Sequence, residues 1–181
     1  MRAFIAIELP ETIREALARE QARFRAISPD ARWTRPEGIH LTLKFLGEIS
    51  TEQEAQVKEA LGAIERFEKF TVSVNGFGFF PDANRPRVFW AGLDGPPGLA
   101  RLAKQVENAL EPLGFPKENR AFRPHLTLAR FKIPRPQPKL SAILAGSGTS
   151  DLRTFEVSEF FLWESRLSPG GAEYRKVARF P

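Results

Sequence analysis

Only two histidines occur among the 181 residues, and both sit in the same four-letter word. His40-Leu41-Thr42-Leu43 recurs as His125-Leu126-Thr127-Leu128, 85 residues further on. On a strand, successive side chains point to opposite faces. Each word therefore puts its imidazole and hydroxyl on one face and its two leucines on the other. Two such pairs, brought to one place, supply what breaking a P–O bond requires. One imidazole takes a proton from the attacking oxygen, and the other gives a proton to the leaving oxygen. Histidine titrates at roughly pH 6.5, so one ring can be neutral while its partner is charged. The hydroxyls of Thr42 and Thr127 can donate to the non-bridging oxygens, where charge gathers in the transition state. The residue types do not say which ring is the acid and which the base. Two histidines with no HExxH pattern or acidic cluster fall short of the three or four ligands a transition metal wants. The scheme therefore calls for no metal and no other cofactor.

Composition agrees with an anionic substrate. The formal net charge is +5 and the pI is about 9.9, a balance that favours phosphate esters or nucleic acid. Cysteine is absent, which removes disulfides, thiolate metal sites and cysteine nucleophiles from consideration. The N-terminal "MRAFIAIELPETIRE" turns acidic at Glu8 and has no long apolar run, unlike a signal peptide. No apolar stretch reaches membrane-spanning length. The expectation is a soluble, cytoplasmic protein.

Elements that position the two words follow the same spacing. Phe4 and Ala6 match Phe89 and Ala91, Leu17 and Ala18 match Leu102 and Ala103, and Phe70, Val72 and Ser73 match Phe155, Val157 and Ser158. One constant offset suggests a duplication. "RAFIAIEL" reads as a strand and residues 10–26 as a helix behind Pro10. Strands follow at "ARWTR" and "HLTLKFL", around a loop at 36–38. A helix is expected over 51–67 and a strand over 70–80, with turn formers at 81–86. The cycle repeats as strand 87–93, helix 97–112, strands near 120–131, a helix near 137–146 and strand 154–164. A last strand, 173–180, has no counterpart in the first half, and "IPRPQP" at 133–138 is a stiff loop. The expected fold is α+β and bilobal: two pseudo-symmetric lobes, each an antiparallel sheet flanked by helices, around a central cleft. The whole chain, 1–181, forms one domain. Its lobes are expected from the repeat halves 1–80 and 87–165, and a monomer suffices because the two halves complete one cleft.

Flanking residues follow from alternation. Lys44 continues the parity of His40 and Thr42 onto the open face, where it can attract phosphate. Phe45 shares parity with the leucines; it and Phe131 read as core, although either ring could stack a nucleobase. Arg130 falls on the leucine face unless the strand bulges near its end. Arg123, just before Pro124, is either a phosphate contact or a surface arginine.

"RAFIAIELP", "HLTLKFLGE", "RPHLTLARF" and "SRLSPGGAEY" together resemble the bacterial and archaeal RNA 2′,3′-cyclic phosphodiesterases. These belong to the 2H phosphoesterase superfamily and are also called 2′-5′ RNA ligases. The resemblance runs from the first strand to Tyr174. It implies a bilobal fold and a metal-independent, ATP-independent opening of a terminal 2′,3′-cyclic phosphate on RNA to a 2′-phosphate. It also implies His40 as the proton donor to the departing 3′ oxygen and His125 as the proton acceptor from water. Thr42 and Thr127 would hold the phosphoryl oxygens, and Arg130 would approach the phosphate. Ser168 and Tyr174 fall in the family's late motif, which implies a substrate-binding place for Tyr174. Ligation by the reverse chemistry, hydrolysis of small cyclic nucleotides, and RNA binding without turnover are the competing readings.

Overall fold

Helix ends follow local chemistry in the computed structural model, which describes residues 1–146 and 151–181. After β1 (Arg2–Glu8), α1 (Glu11–Arg25) starts behind an extended Pro10 and buries Ile13, Leu17 and Phe24. The short β2 (Arg32–Trp33) and the longer β3 (His40–Glu48) follow. A capping box of Ser50 and Gln53 opens α2 (Thr51–Gly62), satisfying two orphan donors at once. This helix ends at Gly62, short of the expected residue 67; Ile64 and Phe67 beyond it still pack on the core. Then come β4 (Phe70–Phe80), β5 (Val88–Asp94), α3 (Pro97–Leu110), β6 (His125–Arg130) and α4 (Pro138–Gly146). The chain closes with β7 (Asp151–Val157), β8 (Phe160–Ser168) and β9 (Gly171–Phe180). The single strand expected over 154–164 is thus two strands.

Two antiparallel sheets result. Sheet one has the order β3-β1-β8-β9, and sheet two the order β2-β6-β5-β4-β7. The lobes are therefore not the two sequence halves. The first half sends β2 and β4 into sheet two, and the second half returns β8 and β9 to sheet one. Helices cross as well. Phe24 of α1 meets Phe77 and Phe89 of sheet two at ring distances of 5.0 and 5.3 Å. Glu107 of α3 pairs with Lys44 of sheet one. Such exchange ties the halves into one core, in which Phe24 alone contributes roughly 2–3 kcal/mol by burial.

The repeat register also needs one correction. Phe4 lies with Ala6, Phe161 and Trp163 in a small cluster apart from the main core, whereas Phe89 is in that main core. The Phe4–Phe89 match is therefore not a structural equivalence. Nor is the match of β4 to β7, since these strands pair with each other.

Candidate active site

The β1 strand keeps strict alternation, so its partners reveal the faces of β3. Glu8, Ala6 and Phe4 pair with His40, Thr42 and Phe45; Ile7 and Ile5, on the buried face, pair with Leu41 and Lys44. The register slips by one residue between Thr42 and Lys44, leaving Leu43 as a bulge. The second copy does the same. Val88, Trp90 and Gly92 pair with Arg130, Thr127 and His125, while Phe89 and Ala91 pair with Ala129 and Leu126. Here Leu128 is the bulge.

One extra residue reverses parity for everything beyond it. Lys44 is therefore not on the open face, contrary to the alternation reading. Its side chain is 2% exposed, and its ammonium donates to Glu107 Oε1 and to the Pro116 carbonyl. Phe45, expected in the core, is 65% exposed and sits 6.2 Å from the Phe4 ring. Arg130 comes round to the face of His125 and Thr127 and is exposed. Phe131, read as core, is buried, because the Leu128 bulge turns it away from the face of His125. Each bulge has a buried polar anchor from the opposite half. Lys44 is held by α3, and the Leu128 carbonyl accepts from buried Gln21 Nε2 of α1 at 3.0 Å.

Both motif strands present their histidines in one way. His125 Nδ1 lies 2.8 Å from the Arg123 carbonyl, two residues upstream. His40 hydrogen-bonds the Gly38 carbonyl, again two residues upstream, and its buried Nε2 has no partner. Nδ1 is thereby fixed as the N–H donor in each ring, and Nε2 is the atom left for chemistry. Gly38 is constrained here. A Cβ on it would fall 2.8 Å from the Tyr174 ring, so glycine lets the carbonyl reach His40 while Tyr174 packs close. Beside them lies a recess of about 270 Å³ lined by Arg35, Glu37, Gly38 and Tyr174, among others.

His40 lies in an aromatic cage. Trp163, Tyr174 and Phe4 stand at ring distances of 4.4, 5.0 and 5.5 Å. Trp163 is pinned by its Nε1 donating to the Ala6 carbonyl. Tyr174 therefore reaches the site, whereas Ser168 closes its own turn by donating to the Gly171 carbonyl. His125 meets Phe80 edge-on at 4.9 Å, and the Arg123 guanidinium lies over that same ring. The β3 and β6 strands touch where the sheets meet. Among the described residues, no three His, Cys, Asp or Glu side chains gather in a metal-ligand cluster. No helix among them is long and apolar enough to cross a membrane.

Burial sets the charge of both rings. It pushes His40 down to about 4, and the Arg14 guanidinium adds to the shift against the Gly38 carbonyl and Glu8. His125 is lowered too, by burial first and then by Arg130 and Arg123, with the Arg123 carbonyl opposing. The free protein thus holds both imidazoles neutral at pH 7. A stability consequence follows. The unfolded chain protonates His40 near its ordinary value, about 6.5, and the folded chain only near 4. Stability is full above pH 6.5 and falls as the pH drops towards 4, by about 3 kcal/mol through this ring. Denaturant midpoints from pH 7 to 4 should fall less steeply for His40→Gln than for the unaltered protein. Parallel curves would contradict the burial.

Two antiparallel sheets each offer a bulged His-x-Thr strand where they adjoin. The chain belongs to the LigT-like phosphoesterase family, whose model matches residues 7–90 and 93–174. It is 34% identical over 180 residues to an RNA 2′,3′-cyclic phosphodiesterase of Archaeoglobus fulgidus, covering 99% of both chains. It is 41% identical over 142 residues to the Aeropyrum pernix protein of the same name, covering 78% of this chain and 80% of that one. Its fold is similar to the crystal structure of Escherichia coli LigT complexed with 3′-AMP. There the TM-score is 0.79 at 31% identity, over 99% of this chain and 96% of that one.

Proposed function

We propose that this protein hydrolyses 2′,3′-cyclic phosphates at RNA ends or on nucleotides, leaving a 2′-phosphate and a 3′-hydroxyl. One observation carries the reading: two copies of one bulged strand each aim a free imidazole Nε2 and a threonine hydroxyl from a single face. The relatives' shared name supports the substrate class. In this scheme His125 Nε2 takes the proton of the attacking water, and His40 gives one to the 3′ oxygen as the P–O3′ bond breaks. Thr42 and Thr127 donate to the non-bridging oxygens. Arg130, near enough to His125 to lower its basicity, adds positive charge where the phosphate arrives.

The proton donor must be charged, yet burial keeps His40 neutral in the free protein. The anionic phosphate reverses this by favouring the imidazolium, and the cage of aromatic faces stabilises the cation further. The alkaline limb of kcat/KM, which reports the free protein, should lie at lower pH than that of kcat, which reports the complex. Both profiles should be bell-shaped. The test uses an RNA oligomer ending in 2′,3′-cyclic phosphate, with EDTA present, followed across pH 4–9 by product analysis. A 2′-phosphate product is expected. A flat profile, or activity lost to EDTA and restored by metal, would overturn the scheme.

A further inference from the structure

Arg32 of β2 lies directly across from Arg130 of β6, and residues paired in this way share a face of the sheet. Arg130 lies on the face of His125 and Thr127. Trp33, next in the chain, turns the other way. Its ring meets Phe89 of the main core at 6.1 Å, and its Nε1 donates to the Ser28 carbonyl. Two independent observations thus put the Arg32 side chain on the open face of sheet two. The β2 strand is the edge of that sheet, and the Thr34 N–H ties it to the Leu128 carbonyl at the second bulge. From β2 the chain passes through the turn at Pro36–Gly38 into His40. Arg32 therefore stands on the strip of chain that joins the two histidine strands.

Like charges set directly opposite each other destabilise a sheet. Other arginines meet carboxylates: Arg14 with Glu8, Arg23 with Glu20, Arg179 with Glu159. Among the described residues, Arg32 and Arg130 have no acidic partner, and both are exposed. Two exposed guanidiniums on one face, without a counter-charge from the protein, make a seat for a ligand with more than one negative charge. Arg130 is the inner of the two, near enough to His125 to lower its basicity. Arg32 is one strand, about 4.8 Å, farther out.

We infer that Arg32 binds the phosphodiester one nucleotide upstream of the cyclic phosphate, so that the site is built for an RNA end rather than a free nucleotide. The inference rests on the cyclic-phosphate reading above and adds which of its two substrate classes the site takes. With the reacting phosphate at the histidines and Arg130, the next negative charge along an RNA end is the phosphodiester on the 5′ side of the terminal ribose. A free nucleoside cyclic phosphate ends there in a hydroxyl and leaves Arg32 without a ligand. Arginine suits the task, since its planar fork gives two hydrogen bonds to one phosphate.

Hydrolysis of adenosine 2′,3′-cyclic phosphate with a 5′-hydroxyl is compared with that of the same nucleotide carrying a 5′-phosphate. The parent should favour the phosphorylated substrate on the order of 10-fold in kcat/KM, mainly through KM. Arg32→Gln should erase that preference and leave the 5′-hydroxyl substrate unchanged, while Arg32→Lys should keep part of it. The Gln variant should melt no lower than the parent, because a like-charge pair has been relieved. A parent indifferent to the 5′-phosphate overturns the subsite. So does a Gln variant that keeps the preference within about twofold, or is impaired equally on both substrates. If the parent opens neither substrate, the function proposed above fails by itself. The subsite is then decided by binding of an RNA oligomer ending in 2′-phosphate at increasing salt. A slope of log Kd against log salt that is shallower by roughly 0.7 for Arg32→Gln upholds it, and equal slopes end it.

Discussion

His40→Ala and His125→Ala are each expected to lower kcat on an RNA 2′,3′-cyclic phosphate by roughly 10²–10⁴-fold, with little change in KM. Each ring moves a proton in the transition state, so its loss is felt there rather than in ground-state binding. The double variant should be little slower than the worse single one, because removing one partner already disables the concerted transfer. The roles are separable with a substrate carrying sulfur in place of the 3′ oxygen. A thiolate leaves without a proton, so His40→Ala should recover most of its rate on that substrate. His125→Ala should not, since water still has to be deprotonated. Equal rescue of both variants would reverse or abolish the assignment. Retention of full activity by either alanine variant would remove that histidine from the chemistry. A parent without turnover, whose RNA affinity is unchanged in both variants, would return the protein to the class of RNA-binding modules.

The two words His40–Leu43 and His125–Leu128 were legible because a pair of scarce, titratable side chains in duplicate is hard to explain by packing. The α+β class was legible from the periodicity of the strands and helices. What was not legible came from pairing across long sequence distances. Alternation gives a face only while the ladder is regular, and nothing in "HLTLKF" or "HLTLAR" announces a bulge. The register of β1 and β5 shows it only after folding. That slip of one residue moved Lys44 inward and brought Phe45 and Arg130 out. The exchange of β4, β8 and β9 between sheets was hidden for a related reason. A repeat indicates that two units are alike, but not that each unit pairs with itself. The match of Phe4 with Phe89 shows the hazard, since one ring lines the site and the other fills the core. Gln21 gave no signal either. It reads as one more polar residue on α1, and only burial at 2% with bonds to the Thr34 and Leu128 carbonyls reveals its place under the second bulge.

The inward turn of Lys44 leads to a large and opposite kind of effect. Were Lys44 a phosphate contact, Lys44→Met would weaken RNA binding, flatten its salt dependence, and leave stability alone. Its side chain is instead 2% exposed and its partner Glu107 16% exposed, with the Pro116 carbonyl as a second acceptor. Removing the ammonium leaves a carboxylate facing α3 and β3 without its counter-charge. The expected loss is about 3 kcal/mol of unfolding free energy, or a fall in Tm of roughly 6–12 °C for a chain of this size. The salt slope of RNA binding should not move. Adding Glu107→Gln to Lys44→Met should recover much of the loss, because the uncompensated charge is gone. The amide oxygen can still accept from the Glu118 N–H, as Glu107 Oε2 does now at 2.8 Å. A Lys44→Met protein that melts with the parent but binds RNA more weakly would put this lysine back on the open face. It would also remove the bulge on which the placement of Phe45 depends.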